Sequence, residues 1–166
     1  MTFSPLAVML GFVIAQRLGE LVIANRNTKR LLERGGREIG ARHYPLFIVL
    51  HTAWLASLAI FVPFDRRPNV ELIGLYLLLQ LGRAWVITSL GPYWTTRIIT
   101  LDEAPTVRRG PYRFLRHPNY VVVAAEIAVL PLAFGAWRLA LVFSVLNALL
   151  IAYRIRVEEQ ALSLRR

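Results

Sequence analysis

The sequence contains no cysteine, which excludes disulfides, thiolate nucleophiles and thiolate-ligated metal sites. Its three histidines, at 43, 51 and 117, are too scattered to suggest a metal cluster. No Gly-x-Gly-x-x-Gly follows a plausible strand, so a Rossmann cofactor domain is not supported. Acidic residues are scarce, 10 against 20 Lys and Arg. A net charge of +10 could suggest nucleic acid. The basic residues gather instead on particular connections between apolar runs, the pattern of membrane topology, and no nucleic-acid partner is expected. No basic residue lies in Met1 to Ser4, ahead of the first apolar run, so that run is expected to persist as a helix and not to be cleaved as a signal peptide.

What the chain has in abundance is apolar sequence, 56% of 166 residues. The fold class expected is an all-α integral membrane protein in one compact bundle. Five apolar segments can be drawn, about Pro5 to Ala24, Tyr44 to Pro63, Val70 to Leu90, Asn119 to Ala133 and Trp137 to Tyr153. A spanning helix needs roughly 20 residues at about 1.5 Å each, which the first three meet easily. The fourth and fifth are short, and Pro131 should end or kink the fourth. They read as a helical hairpin reversing at Phe134-Gly135-Ala136-Trp137. Fifteen basic residues fall on the first and third connections and the tail, against three on the second connection and the hairpin turn. This bias predicts five spans in a cell membrane, with the N-terminus outside and the C-terminus cytoplasmic.

Arg17, Arg83 and Glu126 lie inside the first, third and fourth spans, each about seven residues, roughly 10 Å, from the cytoplasmic end. An unpaired charge there costs about 2.5–3.5 kcal/mol, so Arg83 is expected to pair with Glu126. Asn147 sits at similar depth in the fifth span. This layer reads as a structural one or as the floor of a buried pocket, and neither reading excludes the other.

Two polar clusters flank the hairpin. Gly110 to Tyr120 crowds Gly, Pro, His, Tyr and two arginines before an apolar run, and Arg154-Ile155-Arg156-Val157-Glu158-Glu159 follows the last run. Antiparallel helices would bring the two clusters together at one membrane face. Pro118 suits the first position of a helix, His117 then falls at its cap, and Tyr120 shares its face. The electropositive start of that helix can hold a carboxylate. Arg154 and Glu158 are one turn apart, and Asn147 and Ile151 continue their stripe into the membrane. Taken blandly, these are a basic helix entry and an exposed ion pair. Taken as a site, they form a membrane pocket for an amphipathic ligand.

From about Val107 to Leu162 the chain resembles the isoprenylcysteine carboxyl methyltransferase family of membrane-embedded, S-adenosylmethionine-dependent enzymes. The resemblance rests on Gly110-Pro111-Tyr112, Arg116-His117-Pro118-Asn119-Tyr120, the hairpin, and Arg154 followed by Glu158-Glu159. It implies a cofactor held by Ala104 to Val107 (Thr106 and Val107 above all), Tyr112, His117, Pro118, Asn119, Tyr120 and Glu158, with S-adenosylhomocysteine as product. Arg154 falls on the family's substrate arginine and Asn147 is the second substrate candidate; Arg154 and His117 are the catalytic candidates, and no metal is implied. Residues 1–95 would be a three-helix scaffold, and 96–166 the cofactor loop, hairpin and C-terminal segment of the same single domain. Arg97 stands where some relatives have glutamine, and Ala104-Pro105-Thr106-Val107 lacks the histidine some relatives have.

The resemblance implies methyl transfer to a carboxylate or acidic hydroxyl oxygen of a lipophilic or prenylated acceptor in the membrane. Asn119, Glu126 and the ending Arg-Ile-Arg-Val-Glu-Glu look more like bacterial relatives that methylate alkylpyrones and alkylresorcinols. Two other readings stay open: phospholipid N-methylation, and a non-enzymatic transport or assembly protein whose buried charges line a pathway.

Overall fold

The computed structural model describes residues 4–101 and 107–163, with side chains to residue 160. Five apolar helices account for most of it: α1 (Pro5–Glu33), α2 (Tyr44–Phe61), α3 (Val70–Leu90), α4 (Pro118–Ala133) and α5 (Trp137–Ser163). Local chemistry starts and stops them. Ser4 caps α1 by accepting from the Ala7 N–H, with Pro5 behind it, and Asn69 caps α3 by accepting from Leu72 N–H at 2.9 Å. At the end of α4, Gly135 N–H donates to Leu132 and Ala136 N–H to Pro131, with Gly135 at φ +71°, which is a Schellman stop. The expected reversal at residues 134–137 is therefore built from a helix cap.

Pro131 lies inside α4, which closes two residues later at Ala133. The first and fifth helices run well past their expected ends. No Gly or Pro interrupts residues 20–34 or 137–163, so nothing breaks the helix where hydropathy falls. Hence α5 is not short. Its residues Trp137–Gln160 contain an apolar window long enough to cross a membrane. Among the described residues four helices are long and apolar enough to cross a membrane, and α4, with 16 residues, is a shorter apolar one.

The all-α expectation needs one correction. Arg37–Ile39 (β1) and Ile98–Thr100 (β2) form a two-stranded antiparallel ladder, Glu38 opposite Ile99. It ties the first connection to the third, so both lie at one end of the bundle. The start of α2 meets the last third of α5 there, the His43 and Tyr153 rings lying 5.5 Å apart. At the opposite end the Ser4 hydroxyl donates to the Phe64 carbonyl and Asn69 N–H donates to Ala133 at 2.7 Å. The helices therefore alternate in direction, and the two polar clusters share an end.

The core joins Leu6, Leu10 and Val13 of α1, Trp54 and Leu58 of α2, Tyr76 of α3, and Ile127 and Leu130 of α4. Outer faces are equally apolar, with Leu78, Leu81, Leu149 and Val49 exposed. In lipid such faces give no hydrophobic drive for helix association, so packing and buried polar contacts must hold the bundle. A charged layer supplies them. Arg83 on α3 reaches Glu20 on α1 at 2.6 Å and Glu126 on α4 at 3.1 Å. Arg17 on α1 reaches Glu126 at 2.6 Å and Glu20 at 3.1 Å. Gln80 and Gln16 each donate to one of these carboxylates at 3.0 Å. The expected Arg83–Glu126 pair is present, but its balance depends on Glu20, which sequence reading overlooked. Two cations and two anions cancel.

Candidate functional site at the polar end of the bundle

A cavity of about 310 Å³ opens at the end that carries both clusters. Its walls come from β2 and the turn before it (Trp94, Thr95, Arg97), the 3₁₀ turn Gly110–Arg113, the start of α4 and the last turns of α5. Gly110 permits that assembly. Its φ is +57°, and a β-carbon there would lie 2.0 Å from the Ser89 Oγ, so only glycine lets the turn press onto the end of α3. Arg109 clamps the same contact, its Nε donating to the Ser89 carbonyl at 2.7 Å.

Arg154 is the buried cation of the cavity, 8% exposed. Its Nε donates to the Tyr120 hydroxyl at 2.8 Å and lies 3.3 Å from Glu158 Oε1, while Nη1 donates to the Thr96 carbonyl at 2.9 Å. The Tyr120 hydroxyl donates to Glu158 Oε1. His117 Nδ1 lies 3.5 Å from Glu158 Oε2, and its ring stacks on Tyr120 with centroids 5.3 Å apart. A cation, an anion, a phenol and an imidazole from opposite ends of the hairpin thus form one connected group. Phe47 of α2 covers the Arg154 guanidinium at 5.4 Å. Across the cavity, burial and then the charge of Glu158 push the Tyr112 phenol up to about 12, so it stays neutral at physiological pH.

Tyr112, His117, Asn119, Tyr120, Arg154 and Glu158 all line this cavity. Pro118 is buried as the first residue of α4, behind the wall. His117 is the helix cap residue by position, though its side chain makes no capping bond. Val107 is half-buried and is not part of the lining, while Ala104 to Thr106 fall outside the described residues. Asn147 does not join the group. It is fully buried in α5 seven residues deeper, and neither amide atom has a partner among the described residues. Sequence reading missed Tyr93, Trp94 and the Ile98–Thr100 wall. The β-branched run Thr95-Thr96-Arg97-Ile98-Ile99-Thr100 was the available signal for it. Arg97 does line the cavity, but its guanidinium is held by Glu38 at 3.0 Å and lies over the Tyr44 ring.

A profile of the isoprenylcysteine carboxyl methyltransferase (ICMT) family matches residues 72–164. The chain belongs to the ICMT family. The match begins in α3 and takes in every wall of the cavity as well as the hairpin. It leaves out α1 and α2, which supply Arg17, Glu20, Glu38 and Phe47. The chain is 35% identical to an uncharacterized protein, YpbQ, of Bacillus subtilis (strain 168), covering 93% of this chain and 95% of that one. It is 29% identical to an uncharacterized protein of Haemophilus influenzae, covering 91% of each. No solved structure matches.

Membership of the ICMT family together with the apolar helices makes this an integral membrane protein of a methyltransferase family whose members use S-adenosylmethionine. The cavity suits such a group. Asn119 Oδ1 is buried at the wall with no partner among the described residues, an acceptor available to an amine or ammonium. Glu158 contributes negative charge, and Tyr93, Trp94, Tyr112 and Tyr120 offer flat walls to a heterocycle.

Proposed function

We propose that this protein is an S-adenosylmethionine-dependent O-methyltransferase whose acceptor is a carboxylate or acidic hydroxyl on a lipophilic molecule held in the membrane. One observation carries the reading: Arg154 and Glu158, one turn apart, meet through the Tyr120 hydroxyl inside a cavity at the polar end of an apolar bundle. The cofactor, when bound, supplies a methyl group on a sulfonium. A methyl transferred to an anionic oxygen forms one C–O bond as one C–S bond breaks, and the charges of donor and acceptor cancel. The protein's task is placement, which can supply up to about 7–11 kcal/mol of the barrier. Glu158 and Asn119 hold the cationic and donor groups of the cofactor, with His117 and Tyr120 beside them. Arg154 presents its planar fork to the acceptor oxygens. An acceptor already ionised needs no base; a phenolic one, with an ordinary pKa near 10, draws on His117 or Glu158. The excess of basic residues at the cavity end supports a cytoplasmic opening, with the N-terminus outside and five spans.

Calorimetry of S-adenosylhomocysteine binding to detergent-purified protein tests this. We expect saturable binding that Glu158→Ala abolishes, with both proteins melting at similar temperatures. Arg154→Lys, which keeps the charge and loses the fork, should bind the product while transferring at least tenfold less label from the cofactor to membrane lipids. Absence of binding in well-folded wild-type protein refutes the reading. Label recovered on headgroup amines would move the acceptor from oxygen to nitrogen.

A further inference from the structure

The segment between β2 and α4 carries a second polar feature outside the cavity. Arg108 and Arg113 line a shallow cleft with Tyr112 as its third wall, so Tyr112 separates this cleft from the main cavity. Both arginines are exposed, and neither forms an ion pair with a described carboxylate. Immediately beyond lie Phe114 and Leu115, 75% and 47% exposed, at the tip of the turn, with the Arg113 guanidinium 5.9 Å from the Phe114 ring centroid. Three residues later, at Pro118, α4 begins, with Val121 on its exposed apolar face. The tip therefore stands where the apolar helix surface gives way to the polar end of the bundle.

An exposed phenylalanine and leucine are unfavourable in water, and a pair of guanidiniums with no carboxylate partner among the described residues is unfavourable in hydrocarbon. Only the boundary of a bilayer satisfies both at once, because acyl chains and phosphates lie within a side chain's length of each other there. A guanidinium pair matches a phosphate oxygen set in shape as well as in charge. We propose that the Arg108–Arg113 cleft binds the phosphate of an anionic membrane lipid, with Phe114 and Leu115 seated among its acyl chains beside the cavity mouth. Through the shared Tyr112 wall, the bound lipid holds the Gly110–Arg113 turn in place and fixes where the cavity opens on the leaflet. This site is independent of methyl transfer and stands or falls separately from it.

Native mass spectrometry of delipidated protein offered equal amounts of phosphatidylglycerol and phosphatidylcholine reads the site directly. Wild-type protein should retain phosphatidylglycerol preferentially. The Arg108→Gln, Arg113→Gln double variant should lose on the order of tenfold of that affinity, with phosphatidylcholine retention and melting temperature unchanged. Phe114→Ser should weaken retention of phosphatidylglycerol as well, since the acyl contact is part of the site. Equal retention of the two lipids, or a double variant that holds phosphatidylglycerol as well as wild type, overturns the proposal. Displacement of the lipid by inorganic phosphate at comparable concentration would overturn it too, by making the cleft a site for soluble anions.

Discussion

Among single residues, Tyr120 has the most exacting position. Its hydroxyl accepts from Arg154 at 2.8 Å and donates to Glu158, so it sets both the distance between that cation and anion and the direction each faces. Hydrogen bonds to charged groups contribute about 1.5–3 kcal/mol, which corresponds to roughly ten- to a hundredfold in a binding constant. Tyr120→Phe keeps the ring that stacks on His117 and removes only the hydroxyl. We expect its S-adenosylhomocysteine affinity to fall by about that factor with melting unchanged; affinity equal to wild type would show that Glu158 does not need Tyr120 to face the cofactor. The connection was partly legible. Three- and four-residue spacings placed His117 with Tyr120 and Arg154 with Glu158, and the hairpin brought the pairs together. The Thr96 carbonyl that fixes Arg154 left no trace, because a backbone acceptor has no residue signature. Asn147 shared the stripe of Arg154, but a shared stripe says nothing of depth, and seven residues of helix separate it from the cavity by about 10 Å.

Among elements, the helices were legible and their ends were not. Hydropathy marks where lipid stops, whereas a helix stops where a Gly, a Pro or a cap stops it. That is why α1 runs to Glu33 and α5 to Ser163, beyond their apolar stretches. The β1–β2 ladder was missed because three-residue strands show no period, and pairing across 58 residues of intervening chain is invisible locally. It matters nonetheless, since β2 walls the cavity and β1 holds Arg97 through Glu38. The Gly110–Arg113 turn belongs to this scale too. Ala at 110 would meet both a left-handed backbone, costing about 1–2 kcal/mol, and the Ser89 side chain. Gly110→Ala should therefore displace the turn and weaken product binding several-fold while helical circular dichroism stays constant. Gly74→Ala, in α3 with open space around it, should be neutral or slightly stabilising. Equal behaviour of the two variants would show that the turn does not depend on its contact with Ser89.

At the scale of the molecule, the absence of cysteine makes topology simple to read, because any introduced thiol is unique. Lys29→Cys lies at the cavity end and Arg67→Cys at the other, both exposed. With the N-terminus outside, an impermeant maleimide should label Arg67→Cys in intact cells and Lys29→Cys only after permeabilisation; the reverse pattern would put the cavity on the outer face.

The charged layer decides whether the bundle holds together at all. Arg17, Glu20, Arg83 and Glu126 join α1, α3 and α4 where outer faces offer no hydrophobic drive, and their charges sum to zero. Glu126→Leu leaves two guanidiniums sharing one carboxylate, an uncompensated buried cation that should cost about 3–5 kcal/mol. Arg17→Leu in the same chain restores neutrality, because the Arg83–Glu20 pair at 2.6 Å needs neither lost residue. Unfolding of the two single variants and the double variant in mixed detergent then gives the coupling directly. If the layer acts as one electrostatic unit, the double variant is more stable than Glu126→Leu alone. Product binding should follow the same order, since Asn119 sits two turns from Glu126 on the same face of α4 and shares its tilt. Simple additivity of the two substitutions would mean that packing alone holds α1 against α4, with the charges merely tolerated there.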